Sequence, residues 1–122
     1  MITLRELDDH ITYQEQLAQQ AAPIVLVNAF HVAPGDGAAL VKAWADDAAY
    51  MKGQPGYIAT QLLRGIAGSG SFVNIATWES AVALRDAFSA PGFQATLTRY
   101  PLSTVASPHV FQKVAVPGIC LG

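Results

Sequence analysis

Two side chains in one short stretch have the types and spacing to act on a bound ligand. Residues 71–80 read S-F-V-N-I-A-T-W-E-S, an apolar, β-branched and aromatic run that predicts a strand leading straight into a helix. Asn74 and Trp78 stand four residues apart, which puts both on one face of a strand. An amide NH₂ and an indole N–H are donors for negative charge that develops on a substrate oxygen in a site closed to water. A buried amide left unpaired costs about 1–3 kcal/mol, so either the core or a ligand must satisfy Asn74.

The elements that hold this pair follow from the rest of the chain. Thr12 and Glu15 have capping-box spacing, and the Gln- and Ala-rich run after them predicts a short helix over 13–21, packed on the outside and ended by Pro23. Residues 24–32, I-V-L-V-N-A-F-H-V, predict a strand buried on both faces, because both alternating sets are apolar. Asp36 is placed to cap a helix over 37–52, whose apolar face is Leu40, Trp44, Ala48 and Met51; Lys42, Asp46 and Asp47 fall elsewhere. A second strand over 57–66 and a small-residue hairpin loop at 67–70 lead into the opening stretch. Ser80 caps a helix over 81–88, and Pro91 opens another helical piece over 91–99. A loop then runs to Pro108, before a last strand over 109–116.

This order is the split β-α-β-β-α-β of an α+β, ferredoxin-like fold, one antiparallel sheet with both helices on one face. The chain divides into an N-terminal extension (1–23), the domain (24–116) and a tail (117–122). Leu26, Asn28, Phe30, Phe72, Asn74, Ala76 and Trp78 form the set facing the helices. Val25, Val27, Ala29, His31, Val73, Ile75 and Thr77 face away.

Composition narrows the function classes. Of 122 residues, 52% are apolar and 13% charged, rich enough in apolar surface to predict burial of the outward sheet face in a homodimer. The net charge of −2 comes without a basic run, which argues against nucleic-acid binding. Cys120 is the one cysteine, so neither an internal disulfide nor a thiolate metal site is expected. No apolar run reaches the roughly 18 residues of a membrane span. The N-terminus lacks the basic start and apolar core of a signal peptide, so a cytoplasmic location is expected. No dinucleotide-binding glycine motif follows the first strand and no H-x-x-x-H occurs, so no cofactor or metal is expected.

The segments V-N-A-F-H-V-A-P-G (27–35), Q-P-G-Y (54–57), F-V-N-I-A-T-W-E-S (72–80) and F-S-A-P-G-F (88–93) resemble the antibiotic biosynthesis monooxygenase (ABM) domain family, over about 24–116. The resemblance implies a dimeric α+β barrel. The family includes cofactor-free monooxygenases that oxidise aromatic anthrones to quinones, haem-degrading enzymes, and proteins that handle signal molecules or quinols. Asn74 and Trp78 match the Asn and Trp of the anthrone-oxidising branch. Its Tyr, six residues past the Trp, is replaced by Leu84, and its Arg has no counterpart. In the haem-degrading branch Asn28 matches the first-strand Asn, but the Trp position falls at about Ala87 and the iron-ligating His at about Leu97. Haem degradation is therefore disfavoured.

The resemblance thus implies oxygenation of a small electron-rich aromatic or quinol-like substrate by O₂ with no cofactor. Asn74, Trp78 and Asn28 would be the catalytic groups, with Trp44, Tyr50, Leu84, Phe88 and Phe93 against the substrate. The residues leave other readings open: a dimeric barrel that binds a small hydrophobic ligand without turnover, or an isomerase-like enzyme of the same fold. Trp78, Asn28, Trp44 and Met51 also fit as plain core. His31 is expected at a subunit interface, and His10, His109 and Cys120 at the surface. Tyr50, Tyr57 and Tyr100 are candidates for the proton acceptor, and nothing in the sequence selects among them.

Overall fold

A computed structural model describes residues 2–122. Thr3–Leu4 forms β1, Tyr13–Leu17 α1, Ile24–His31 β2, Gly37–Lys52 α2, Tyr57–Arg64 β3, Ser71–Trp78 β4, Ala81–Ser89 α3, Pro91–Thr96 α4 and Val105–Phe111 β5; a 3-10 turn, Leu97–Arg99, follows α4. The sheet order is β1-β5-β2-β4-β3, with β2 to β5 antiparallel. It is the ferredoxin-like α+β arrangement, widened by one short parallel strand.

The β2–β4 register runs unbroken: Ile24 opposes Trp78, Leu26 opposes Ala76, Asn28 opposes Asn74 and Phe30 opposes Phe72. Apart from Ile24, which joins it, this is the set expected to face the helices, and its apolar members are buried. β3 carries an irregularity between Tyr57 and Ala59. The extra residue lets Tyr57 and Thr60 both face the helices although they are three apart, since a bulge resets the alternation. Gly56, at φ +90°, makes the entry to β3; a Cβ there would run into Ala83.

Several elements differ from the sequence-based expectation. β1 is too short to show alternation; it is held by Thr3 N–H to Thr104 O (2.9 Å) and Arg5 N–H to Ala106 O (2.8 Å). β5 begins at Val105, not 109, and contains Pro108. Proline is tolerated because Val110, two residues on and on the same edge, donates its N–H to Gln16 and not to β2. Residues from Gln112 onward leave the sheet and are exposed. α1 has the capping box on Thr12 but ends at Leu17. It is not an outer layer either, since Tyr13 and Leu17 are both 4% exposed in the core. Asp36 makes no side-chain cap on α2; its carboxylate accepts from Ser103 Oγ at 2.6 Å and so ties β2's exit to the loop before β5. β2 is not covered on both faces within one chain: Ala29 and His31 are exposed and Val25 and Val27 half-buried. His109 is mid-strand and 7% exposed, its Nε2 3.2 Å from Gln16 Nε2.

Gln16 is the clamp between α1 and the sheet. Its Oε1 accepts from Val110 N–H (2.8 Å) and its Nε2 donates to Val110 O (2.9 Å). Gln16→Ala strands both backbone groups at a part-buried edge and should cost about 1–2 kcal/mol. Thermal melting checks this; an unchanged midpoint would show that α1 is held by Tyr13 and Leu17 alone.

Candidate functional site

The core divides into two apolar clusters. One gathers Tyr13, Leu17, Ile24, Leu26, Met51, Trp78, Leu84 and Phe93; the other gathers Phe30, Val32, Leu40, Phe72 and Tyr100. Asn28 and Asn74 sit side by side on the sheet between them. A cavity of about 50 Å³ lies at this place. Its floor is the inward face of β2 and β4, including Asn28, Asn74 and Trp78. Trp44, Asp47, Ala48 and Met51 of α2 form one wall, and Phe88 and Phe93 another. Tyr13, Tyr57 and Thr60 close it from α1 and β3.

The polar groups on this wall are set in definite ways. Asn74 Oδ1 accepts from Thr60 Oγ1 at 2.6 Å, which turns the NH₂ donors of Asn74 toward any ligand. Among the described residues, Asn28 Oδ1 is buried without a partner, and so is the hydroxyl of Tyr13. An orphan acceptor and an orphan donor on one apolar cavity are what a bound hydroxyl or carbonyl compound would satisfy. Trp78 packs edge-on against Tyr57, centroids 5.7 Å apart.

Asp47 puts a carboxylate on the same wall. Tyr100 O–H donates to its Oδ2 at 2.7 Å, and the Tyr100 ring stacks on Phe30. Burial pushes the Asp47 carboxyl up to about 6 from an ordinary 3.8; the Tyr100 bond acts the other way by stabilising the charged form. Burial and the Asp47 charge hold both Tyr100 and Tyr13 above the ordinary phenol range. The neighbouring Asp46 turns outward to Arg99 (3.2 Å).

Of the residues that the sequence puts forward, the structure gathers Asn28, Asn74, Trp78, Trp44, Phe88 and Phe93 around the cavity. Tyr50 and Leu84 are placed elsewhere: Leu84 is fully buried in the core, and Tyr50 packs on Phe93 (6.4 Å between centroids) and over Gly92. His31 is exposed beside Ser71 (3.3 Å) on the opposite sheet face. Asp47, Tyr13 and Thr60 are the residues missed. Asp47 lies three residues after Trp44 and four before Met51, so helical spacing places it on their face. Thr60 depends on the β3 irregularity, and Tyr13 on long-range packing.

The described residues 23–99 match the family model described as antibiotic biosynthesis monooxygenase. A mycobilin-producing haem oxygenase of Mycobacterium tuberculosis is 32% identical over 94 residues, covering 75% of this chain and 90% of the relative. Deoxynogalonate monooxygenase of Streptomyces nogalater is 38% identical over 73 residues, covering 60% and 61%. Among solved structures, SnoaB, a cofactor-independent oxygenase of Streptomyces nogalater, superposes with a TM-score of 0.72 at 31% identity, covering 80% of this chain and 99% of that one.

Because Asp47 has a higher value folded than unfolded, the folded chain holds more protons between about pH 4 and 6. The stability that this group contributes is complete below that window and is lost as pH rises through it. Asp47→Asn removes the dependence. The variant should melt a few degrees above the natural chain at pH 7, and the gap should close near pH 4, as paired melting curves would read. A gap that widens toward acid pH would contradict the assigned direction.

Proposed function

The chain belongs to the antibiotic biosynthesis monooxygenase family, and we propose that it is a cofactor-independent member, oxidising a small electron-rich aromatic or quinol-like substrate with O₂. The observation that carries this is the Asn28–Asn74 pair on the floor of an apolar cavity. One amide offers its NH₂ and the other an unpartnered oxygen. A phenol or enol placed there would give its O–H to Asn28 Oδ1. Its oxygen would take up negative charge against Asn74 and the Trp78 indole. A substrate made electron-rich in this way passes an electron to O₂, and the radical pair combines to a hydroperoxide. Loss of water then leaves the quinone. Closure by Trp44, Phe88 and Phe93 would keep water out. The sequence assigns Asn28 the same polarising task as Asn74; its orphan acceptor favours holding the substrate hydroxyl instead.

Haem degradation is disfavoured on the same cavity. No histidine is among the described residues that line it. The cavity is about 50 Å³, whereas benzene occupies an engineered cavity of about 150 Å³, so the lining must yield to admit a ring. That small volume favours a second reading, binding of a small hydrophobic ligand without turnover. A second copy of the chain over the outward face, where Ile75 is 37% exposed, belongs to the proposal.

Oxygen uptake with 1,8-dihydroxyanthrone and a panel of hydroquinones tests it. Uptake should fall about 100- to 1,000-fold in Asn74→Ala and less in Trp78→Phe. No uptake with any of these, beside a rise in melting temperature on adding them, would favour binding alone. A haem titration giving a tight, saturating Soret shift would overturn the haem-free reading. Sedimentation should give a dimer, and a stable monomer would count against the covered face.

A further inference from the structure

Cofactor-free oxygenation needs a group that takes a proton from the substrate, and the amides and indole of the proposed site cannot do so. We propose that Asp47 is this proton acceptor, a catalytic residue held in place by Tyr100, provided that the oxygenase reading is right. Asp47 stands on the α2 wall, across the cavity from the floor that carries Asn28 and Asn74. Tyr100 donates to its Oδ2, so a substrate would use Oδ1.

The groups that face Asp47 leave it the one carboxylate among the described residues that line the cavity. Tyr13 comes from α1, Tyr57 from β3 and Tyr100 from the turn after α4; β2 and β4 present the neutral Asn28 and Asn74. Tyr13 and Tyr100 are both pushed above the ordinary phenol range, so they stay protonated at neutral pH and are donors only. Arg99 is engaged on the outside by Asp46, and among the described residues no cation pairs with Asp47. Burial makes Asp47 a stronger base than an ordinary carboxylate, yet with a value of about 6 it is still ionised at neutral pH, which is where a general base works best.

The steps balance without another reactant. Asp47 takes a proton from the CH₂ of the substrate and becomes a neutral acid, leaving the substrate anion. The anion gives one electron to O₂, and the two radicals join to form a C–O bond and a peroxide anion. Asp47 returns its proton to that peroxide. The carbon of the hydroperoxide then loses its remaining hydrogen to Asp47 as a proton, the C–H electrons form the C=O of the quinone as the O–O bond breaks, and Asp47 passes the proton to the departing hydroxide to release water and return to a carboxylate.

The test separates proton removal from oxygenation. 1,8-Dihydroxyanthrone is mixed with the protein under argon, and its anion is followed by absorbance from pH 5 to 9. O₂ uptake is then followed in air. The natural chain should form the anion with a midpoint near pH 6. Asp47→Asn, whose melting temperature at pH 7 should not fall, should form none below pH 8 and lose about 100- to 10,000-fold in kcat/KM. Asp47→Glu should recover part of both. Tyr100→Phe removes the bond that favours the carboxylate, so its midpoint should move to higher pH, a shift that loss of packing alone would not give. Asp47→Asn with anion formation and uptake within threefold of the natural chain would overturn the assignment. Anion formation that depends on Asp47, without O₂ uptake in air, would support Asp47 and overturn oxygenation.

Discussion

The pairing of Asn28 with Asn74 across β2 and β4 is the constraint on which the rest depends. Two amides at the centre of a buried sheet face cannot join an apolar core at no cost, since each has four hydrogen-bonding sites to fill. The packing answers by dividing. Large apolar side chains gather on either side in two clusters, and the space between them is the cavity. Thr60 then settles one amide, and the other keeps an orphan oxygen.

Polar groups in such a place act strongly because water is scarce. The same low-dielectric surroundings that raise Asp47 to about 6 would strengthen each donor aimed at a developing oxyanion. Tyr100 links the two effects, since it is stacked on Phe30 in one cluster and bonded to Asp47 on the cavity wall. The N-terminal segment belongs to this arrangement as well. Its Tyr13 reaches the cavity from outside the stretch that matches the family, held by the Gln16 clamp on β5.

Much of the fold was legible from local pattern. The strand–helix alternation, the caps at Thr12 and Ser80, and Pro91 at a helix start are all as the sequence predicts. So is the shared face of Asn28, Asn74 and Trp78. What was hidden depends on contacts distant in sequence. β1 is two residues long and exists only by pairing with β5. Pro108 reads as a breaker until the outer edge of β5 is known to need no N–H there. At the site, Leu84 looked like a substrate contact through alignment with a tyrosine, yet helix phase turns it into the core. From the sequence, Asp47 is expected off the apolar face of α2. Helical spacing does place it beside Trp44 and Met51, but a carboxylate on an apolar face is read as surface until its partner, Tyr100, is seen.

Isotope tracing tests the central claim most directly. Metal-free and haem-free protein is given ¹⁸O₂ with a reduced aromatic substrate, and the product is weighed by mass spectrometry. One labelled oxygen in each quinone formed, with the other in water and no added cofactor, is the result predicted. Label that enters the product only after haem or a metal is supplied, or does not enter at all, would contradict it.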